Sequence, residues 1–123
     1  MRWLVDGMNV IGSRPDGWWR DRTAAMRRLA DDLDAYAATA DTPVSVVFDG
    51  RARELGDHPH LAEIAFAQGG RGAADDEIAR RVAADPEPGS VTVVTSDQGL
   101  AGRVRAAGGA VEPVGRFRAR LAG

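Results

Sequence analysis

The sequence contains no cysteine and no lysine. The first absence excludes disulfides, thiolate zinc sites and cysteine nucleophiles. The second means that all 16 basic residues are arginine. It removes Schiff-base chemistry and the lysine of a phosphate-binding loop. Codon bias in a GC-rich genome accounts for the arginine usage, and the chemical exclusion holds whatever the cause. Histidine occurs twice, at His58 and His60, and aromatic residues make up only 6% of the chain. No apolar run approaches the roughly 20 residues that span a membrane. The start, Met1-Arg2-Trp3-Leu4-Val5-Asp6, reads as a strand and not as a secretory signal, so a cytoplasmic protein without membrane contact is expected. Neither sign of charge dominates. With a formal net charge of −2, a nucleic-acid partner would have to be met by a local basic surface.

What is present is the make-up of a folded domain. The 123 residues are 44% hydrophobic and 28% charged, which fits one domain over residues 1–123 with one core. Trp3-Leu4-Val5 ending at Asp6-Gly7 has the pattern of a buried strand. Residues 13–21, rich in Arg, Pro, Gly and Trp, predict a loop. Met26, Leu29, Leu33, Tyr36 and Ala37 recur at helical spacing and predict an amphipathic helix from Trp19 to Thr39. Val44 to Phe48 is a second strand, ended by Asp49-Gly50. Residues 51–59 are polar and irregular. Ala62, Ile64 and Phe66 alternate with Glu63, Ala65 and Ala67 as a third strand, with a helix as the rival reading. A helix opens at Ala74-Asp75-Asp76-Glu77, with Ile78 and Val82 on its buried face. Its acidic first turn suits the positive end of the helix dipole. Val91 to Thr95 is the fourth strand. Leu100, Ala101 and Val104 mark a short helix, Ala110 to Glu112 a last strand, and residues 115–123 a basic tail of helical character. Strands alternating with helices predict an α/β fold with a parallel sheet between helical layers. Ligands of such sheets bind beyond the carboxyl ends of the strands.

Three strands end alike: Leu4-Val5 runs into Asp6, Val47-Phe48 into Asp49, and Thr95-Ser96 into Asp97. In a parallel sheet these ends share one edge, and the helix start at Asp75-Asp76 follows a strand and belongs there too. A lone aspartate after a strand is commonly a turn former, and one at a helix start a cap. Four such positions on one edge need a further reason, because clustered carboxylates repel. A hard divalent cation relieves the repulsion. Mg²⁺ and Mn²⁺ prefer carboxylate and water oxygens, acidify bound water and stabilise charge on a phosphoryl group. Asn9, three residues past Asp6, is placed to hydrogen-bond and orient that carboxylate.

The remaining polar residues divide differently. His58 and His60 have a metal-site spacing, but no third nitrogen or sulfur ligand accompanies them in the sequence, which favours surface loop histidines. Of Trp18 and Trp19, one is expected to pack on the core and the other is left open, base stacking being its alternative use. Arg51 and Arg53 follow Asp49, and Arg71 precedes Asp75, so arginine forks suited to phosphate rim the acidic edge. Arg116, Arg118 and Arg120 form another basic run. Exposed arginines more often only solvate a surface.

Taken in order, Asp6-Gly7-Met8-Asn9-Val10-Ile11, Val46-Val47-Phe48-Asp49-Gly50, Ala74-Asp75-Asp76-Glu77-Ile78 and Val94-Thr95-Ser96-Asp97 resemble the motifs of NYN domains, most closely the YacP-like branch of the PIN-like nuclease group. The resemblance implies a three-layer Rossmann-like PIN fold with a mainly parallel sheet, and RNA cleavage that depends on Mg²⁺ or Mn²⁺. It marks Asp6, Asp75, Asp97 and Asp76 as candidate metal ligands, Asp76 standing at a position where the branch often has Glu. Asn9 becomes an orienting partner and Asp49 a further wall of the acidic pocket, while Arg51, Arg53, Arg71 and Ser96 stand beside it as candidate substrate contacts. Ala73 stands where the family often has Thr, and Met8 where it has Tyr. Neither departure touches a carboxylate. The RNA target, the oligomeric state and a ribosomal association are left open. A non-catalytic RNA-binding module and a PIN-type toxin ribonuclease are the alternatives on the same fold. A haloacid-dehalogenase-type phosphatase fits poorly, because Met8 stands where a second aspartate is needed and a lysine is missing. A phosphorelay receiver fails for the same missing lysine.

Overall fold

The computed structural model describes residues 1–123. Five strands, β1 (Arg2–Asp6), β2 (Val44–Asp49), β3 (Glu63–Ala67), β4 (Val91–Val94) and β5 (Ala110–Glu112), form one sheet in the order β3-β2-β1-β4-β5. Every pairing is parallel. Five helices surround it: α1 (Gly7–Gly12), α2 (Arg22–Ala40), α3 (Ala73–Ala84), α4 (Gln98–Ala106) and α5 (Val114–Ala122).

The alternation of side chains along each strand sorts the core into two layers. Trp3, Val5, Val44, Val46 and Phe48 face α1, α2 and α5, against Met26, Leu29, Leu33 and Phe117. Leu4, Val47, Val91 and Val93 face α3 and α4, against Ile78, Val82, Leu100 and Val104. Burying a side chain of this size stabilises the fold by roughly 1.5–3 kcal/mol, so both layers hold the sheet rigid under its edge.

The carboxyl edge depends on one close approach. α1 begins directly after β1, and a Cβ on Gly7 would lie 2.5 Å from the Phe48 ring of β2. Glycine is therefore the residue that lets the chain turn into a helix at this point.

The basic tail is a helix, and its arginines are partly engaged. Phe117 is buried against Trp3 and Tyr36, with ring centroids 5.1 and 5.6 Å away. Arg120 grips Glu112 through two hydrogen bonds of 2.8 and 2.9 Å. Arg118 donates to the Val10 carbonyl and to Ser13 Oγ.

Three readings of the sequence are corrected and one is borne out. Residues 7–12 are a helix, hidden from periodicity by their brevity. The long helix starts at Arg22, where the Asp21 carboxylate accepts from the Ala24 N–H. Trp18 and Trp19 fall in a single 3₁₀ turn before it. The third strand is a strand, paired along its length with β2, so tertiary pairing settled what propensity left ambiguous. The histidines are not both surface groups: the His58 side chain is half exposed, but that of His60 is only 11% exposed.

Candidate active site

β1, β2 and β4 end side by side because their parallel register is in step. Asp6 pairs with Val47, and Val5 pairs with Val94, so the residues just beyond converge on one edge. There Asp6, Met8, Asn9, Asp49, Gly72, Asp75 and Asp97 line an open pocket of about 280 Å³. Four carboxylates from four separate places in the chain thus face one space, and no arginine lines it.

Two of the walls are held by backbone. Asp49 Oδ1 accepts from the Ala74 N–H at 3.1 Å, which joins the end of β2 to the first turn of α3. Gly72 precedes that turn in the left-handed region, with φ of 84°. Asp97 caps α4, its Oδ1 accepting from the Leu100 N–H at 3.0 Å. Capping uses one oxygen of each of these two carboxylates.

Asp6 is buried and is held by a residue that motif reading passed over. Thr95, itself buried, donates its hydroxyl to Asp6 Oδ2 at 2.8 Å. The same hydroxyl oxygen accepts from the Asp97 N–H at 3.1 Å. Thr95 therefore ties two of the aspartates together. Nothing in the local pattern Thr95-Ser96-Asp97 marks that role, because the partner carboxylate comes from β1. Asn9 takes a different part from the expected one. Its Oδ1 accepts from the Ser96 N–H at 2.8 Å and pins the turn before Asp97.

The carboxylates register each other. Burial pushes Asp6 up to about 6, the Thr95 hydrogen bond opposes the shift, and Asp75, Asp49 and Asp97 add to it. Asp75 is also raised, first by burial and then by Asp97 and Asp49, with Arg103 acting against. A site that holds buried acids above their ordinary range is a site in want of positive charge, and a divalent cation is the direct remedy. The donor set is all oxygen, which suits a hard ion.

Other expected residues stand outside the pocket. Asp76 is exposed and pairs with Arg103 at 2.9 Å. Ser96 Oγ accepts from the Val114 N–H at 3.0 Å and so anchors the start of α5. Arg53 donates to Thr23 Oγ1 at 3.0 Å, while Arg51 and Arg71 are exposed beside the edge. Trp18 packs on the core and Trp19 is 52% exposed. Away from the pocket, donor atoms of Asp31, Asp34, His58 and His60 lie within 4.8 Å of one another.

A doubly covered parallel sheet with clustered aspartates at its carboxyl edge defines a protein of the PIN-like fold class. The model of the YacP-like NYN domain matches residues 3–122, and the chain belongs to that family. Two solved structures share the fold. One is Rae1 (YacP) from Bacillus subtilis, with a TM-score of 0.80 and 23% identity over 99% of this chain and 74% of that one. The other is a single-substitution mutant of the same protein, also at 0.80 and 23%, over 99% of this chain and 76% of that one. Comparison with curated proteins finds no match. Family membership implies a nuclease-type, RNA-related function.

Proposed function

We propose that the chain is a divalent-metal-dependent endoribonuclease that cuts RNA phosphodiester bonds at the aspartate pocket. The observation that carries this reading is the pocket itself: four carboxylates line it without a lining arginine, and two are driven up by burial and mutual repulsion. Asp6, Asp75 and Asp97 would hold Mg²⁺ or Mn²⁺, with Asp49 completing the acidic wall. Such a cation, when bound, supplies positive charge to the phosphoryl oxygens and makes water a better nucleophile.

The residues of the chain do the rest. Thr95 fixes Asp6, and Asn9 fixes the turn that carries Asp97. Capping engages Asp49 Oδ1 and Asp97 Oδ1, so these carboxylates reach the pocket in set orientations. Arg51, Arg53 and Arg71 supply the rim for a polyanion, where guanidinium groups position phosphates. The exposed Trp19 ring offers a stacking surface for an unpaired base.

The test is a cleavage assay on RNA and DNA side by side with added Mn²⁺ or Mg²⁺. Cleavage of RNA, its loss with EDTA, and a fall of more than about a hundredfold in Asp6→Asn and Asp97→Asn are expected. Unchanged rates in those variants would place the chemistry elsewhere.

A further inference from the structure

The second cluster joins two parts of the molecule. Asp31 and Asp34 lie three residues apart on α2, hence on one face. His58 and His60 lie in the connection between β2 and β3, a stretch of irregular chain that crosses the α2 side of the sheet. None of the four takes part in the aspartate pocket.

Their donor atoms are close: His60 Nδ1 is 2.6 Å from Asp34 Oδ2 and 4.0 Å from Asp31 Oδ1, and His58 Nε2 is 3.1 Å from Asp31 Oδ1. A tetrahedral ion with bonds of 2.0–2.1 Å spaces its ligand atoms roughly 3.3 Å apart. The observed distances bracket that spacing, so small side-chain rotations would complete the site.

The outer contacts are those of a prepared ligand set. His60 Nε2 lies 2.6 Å from the Leu55 carbonyl oxygen, an acceptor only, so this nitrogen carries a proton and donates it. Its other nitrogen, Nδ1, is thereby turned toward the carboxylates. A metal-bound histidine characteristically donates its second ring N–H to a carbonyl or carboxylate. Asp34 is anchored in the same manner: Oδ1 accepts from the Ala62 N–H at 2.8 Å, which leaves Oδ2 facing His60. Gly56, with φ of 97°, lets the His58 ring lie over the backbone, where an added Cβ would sit 3.2 Å from the ring.

We propose that Asp31, Asp34, His58 and His60 form a second metal site, a four-ligand Zn²⁺ site that clips the β2–β3 connection onto α2. Two imidazoles and two carboxylates suit zinc and its first-row neighbours, whereas Mg²⁺ favours oxygen ligands alone. Four protein ligands complete a tetrahedron and leave no open position, as in structural sites. The clip would bind a segment that has no ladder hydrogen bonds of its own.

The experiment is titration of the tag-free, chelator-stripped chain with Co²⁺, followed by Zn²⁺, in excess Mg²⁺. The expected result is one Co²⁺ per chain with the visible absorption of a tetrahedral ion, displacement by Zn²⁺, and a higher Tm with Zn²⁺. His58→Ala should weaken binding by more than about a hundredfold, because loss of a ligand costs more than loss of an outer-shell partner. That ring is half exposed, so the variant should fold, and circular dichroism checks that it does. The double variant Asp6→Asn, Asp97→Asn should bind Co²⁺ as the wild type does. Wild-type affinity in His58→Ala, loss of binding in the double variant, or no Co²⁺ bound at all would overturn the proposal. The last result would leave the cluster as a His60–Asp34 ion pair only.

Discussion

The amino edge of the sheet and the aspartate pocket at its carboxyl edge handle charge in opposite ways. At the amino edge, charges are matched. Arg2 meets Asp85 at 2.7 Å, and Arg81 meets Glu63 at 2.6 Å and Glu77 at 2.7 Å. Glu77 is held down at about 2 by hydrogen bonds from Arg80 and Arg81, and Asp85 is lowered by its hydrogen bond from Arg2. At the carboxyl edge, Asp6 and Asp75 are raised. Pairing lowers an acid; gathering and burying acids raises them. The contrast separates a surface where charges are paired from a pocket where carboxylates are gathered without partners of opposite charge.

The sharpest way to break the comparison is stability against pH. Asp6 sits near 6 in the fold, above the ordinary aspartate value of 3.8. Its contribution is present in full below pH 4 and is lost as the pH climbs through about 6. Asp6→Asn should therefore stabilise the metal-free protein at neutral pH, by roughly 1–3 kcal/mol, while it removes activity. Asp85 is lowered, so its contribution has the opposite sign: present above its ordinary value and lost as the pH falls. Asp85→Asn should lower stability at neutral pH. Urea melts of both variants between pH 4 and 7.5 check the pair, and parallel curves would dissolve the distinction between the edges.

A smaller effect tests what holds the pocket. Thr95→Val keeps the shape and removes the hydroxyl that restrains Asp6. The Asp6 titration, followed by NMR in the metal-free protein, should move upward by about one pH unit or less. An unmoved titration would mean that Thr95 only fills space. The smallest expected effect is on the rim. Arg51→Ala with Arg53→Ala should weaken RNA binding and reduce the slope of log affinity against log salt by about 1.4, the share of two phosphate contacts on a single strand. An unaltered slope would take these arginines out of the RNA path.

Much of this was legible in the residues. The strand ends Val5-Asp6 and Phe48-Asp49 identify themselves, since an apolar run closed by an acid needs no partner to be seen, and Asp97 follows the end of β4 by three residues. The acidic start of α3 is local chemistry of the same kind. The part played by Thr95 was not legible, because its partner Asp6 lies 89 residues away and meets it only through the β1–β4 register. Asn9 was misjudged for the same reason: nearness in sequence suggested Asp6, and the fold brought the Ser96 N–H instead. Asp76 and Ser96 read as site residues from their motifs, yet helix periodicity turns Asp76 toward Arg103, and Ser96 is taken by Val114.

By itself the sequence determined the exclusions, the α/β alternation and the positions of the four aspartates, because composition and short-range pattern are complete in one dimension. Tertiary structure alone decided which oxygens face one another. Pairing across the sheet made Thr95 the support of Asp6. The crossing of the β2–β3 connection over α2 placed two histidines beside two aspartates more than twenty residues distant. Such meetings depend on register and on the path of a crossover, and no local spacing encodes either.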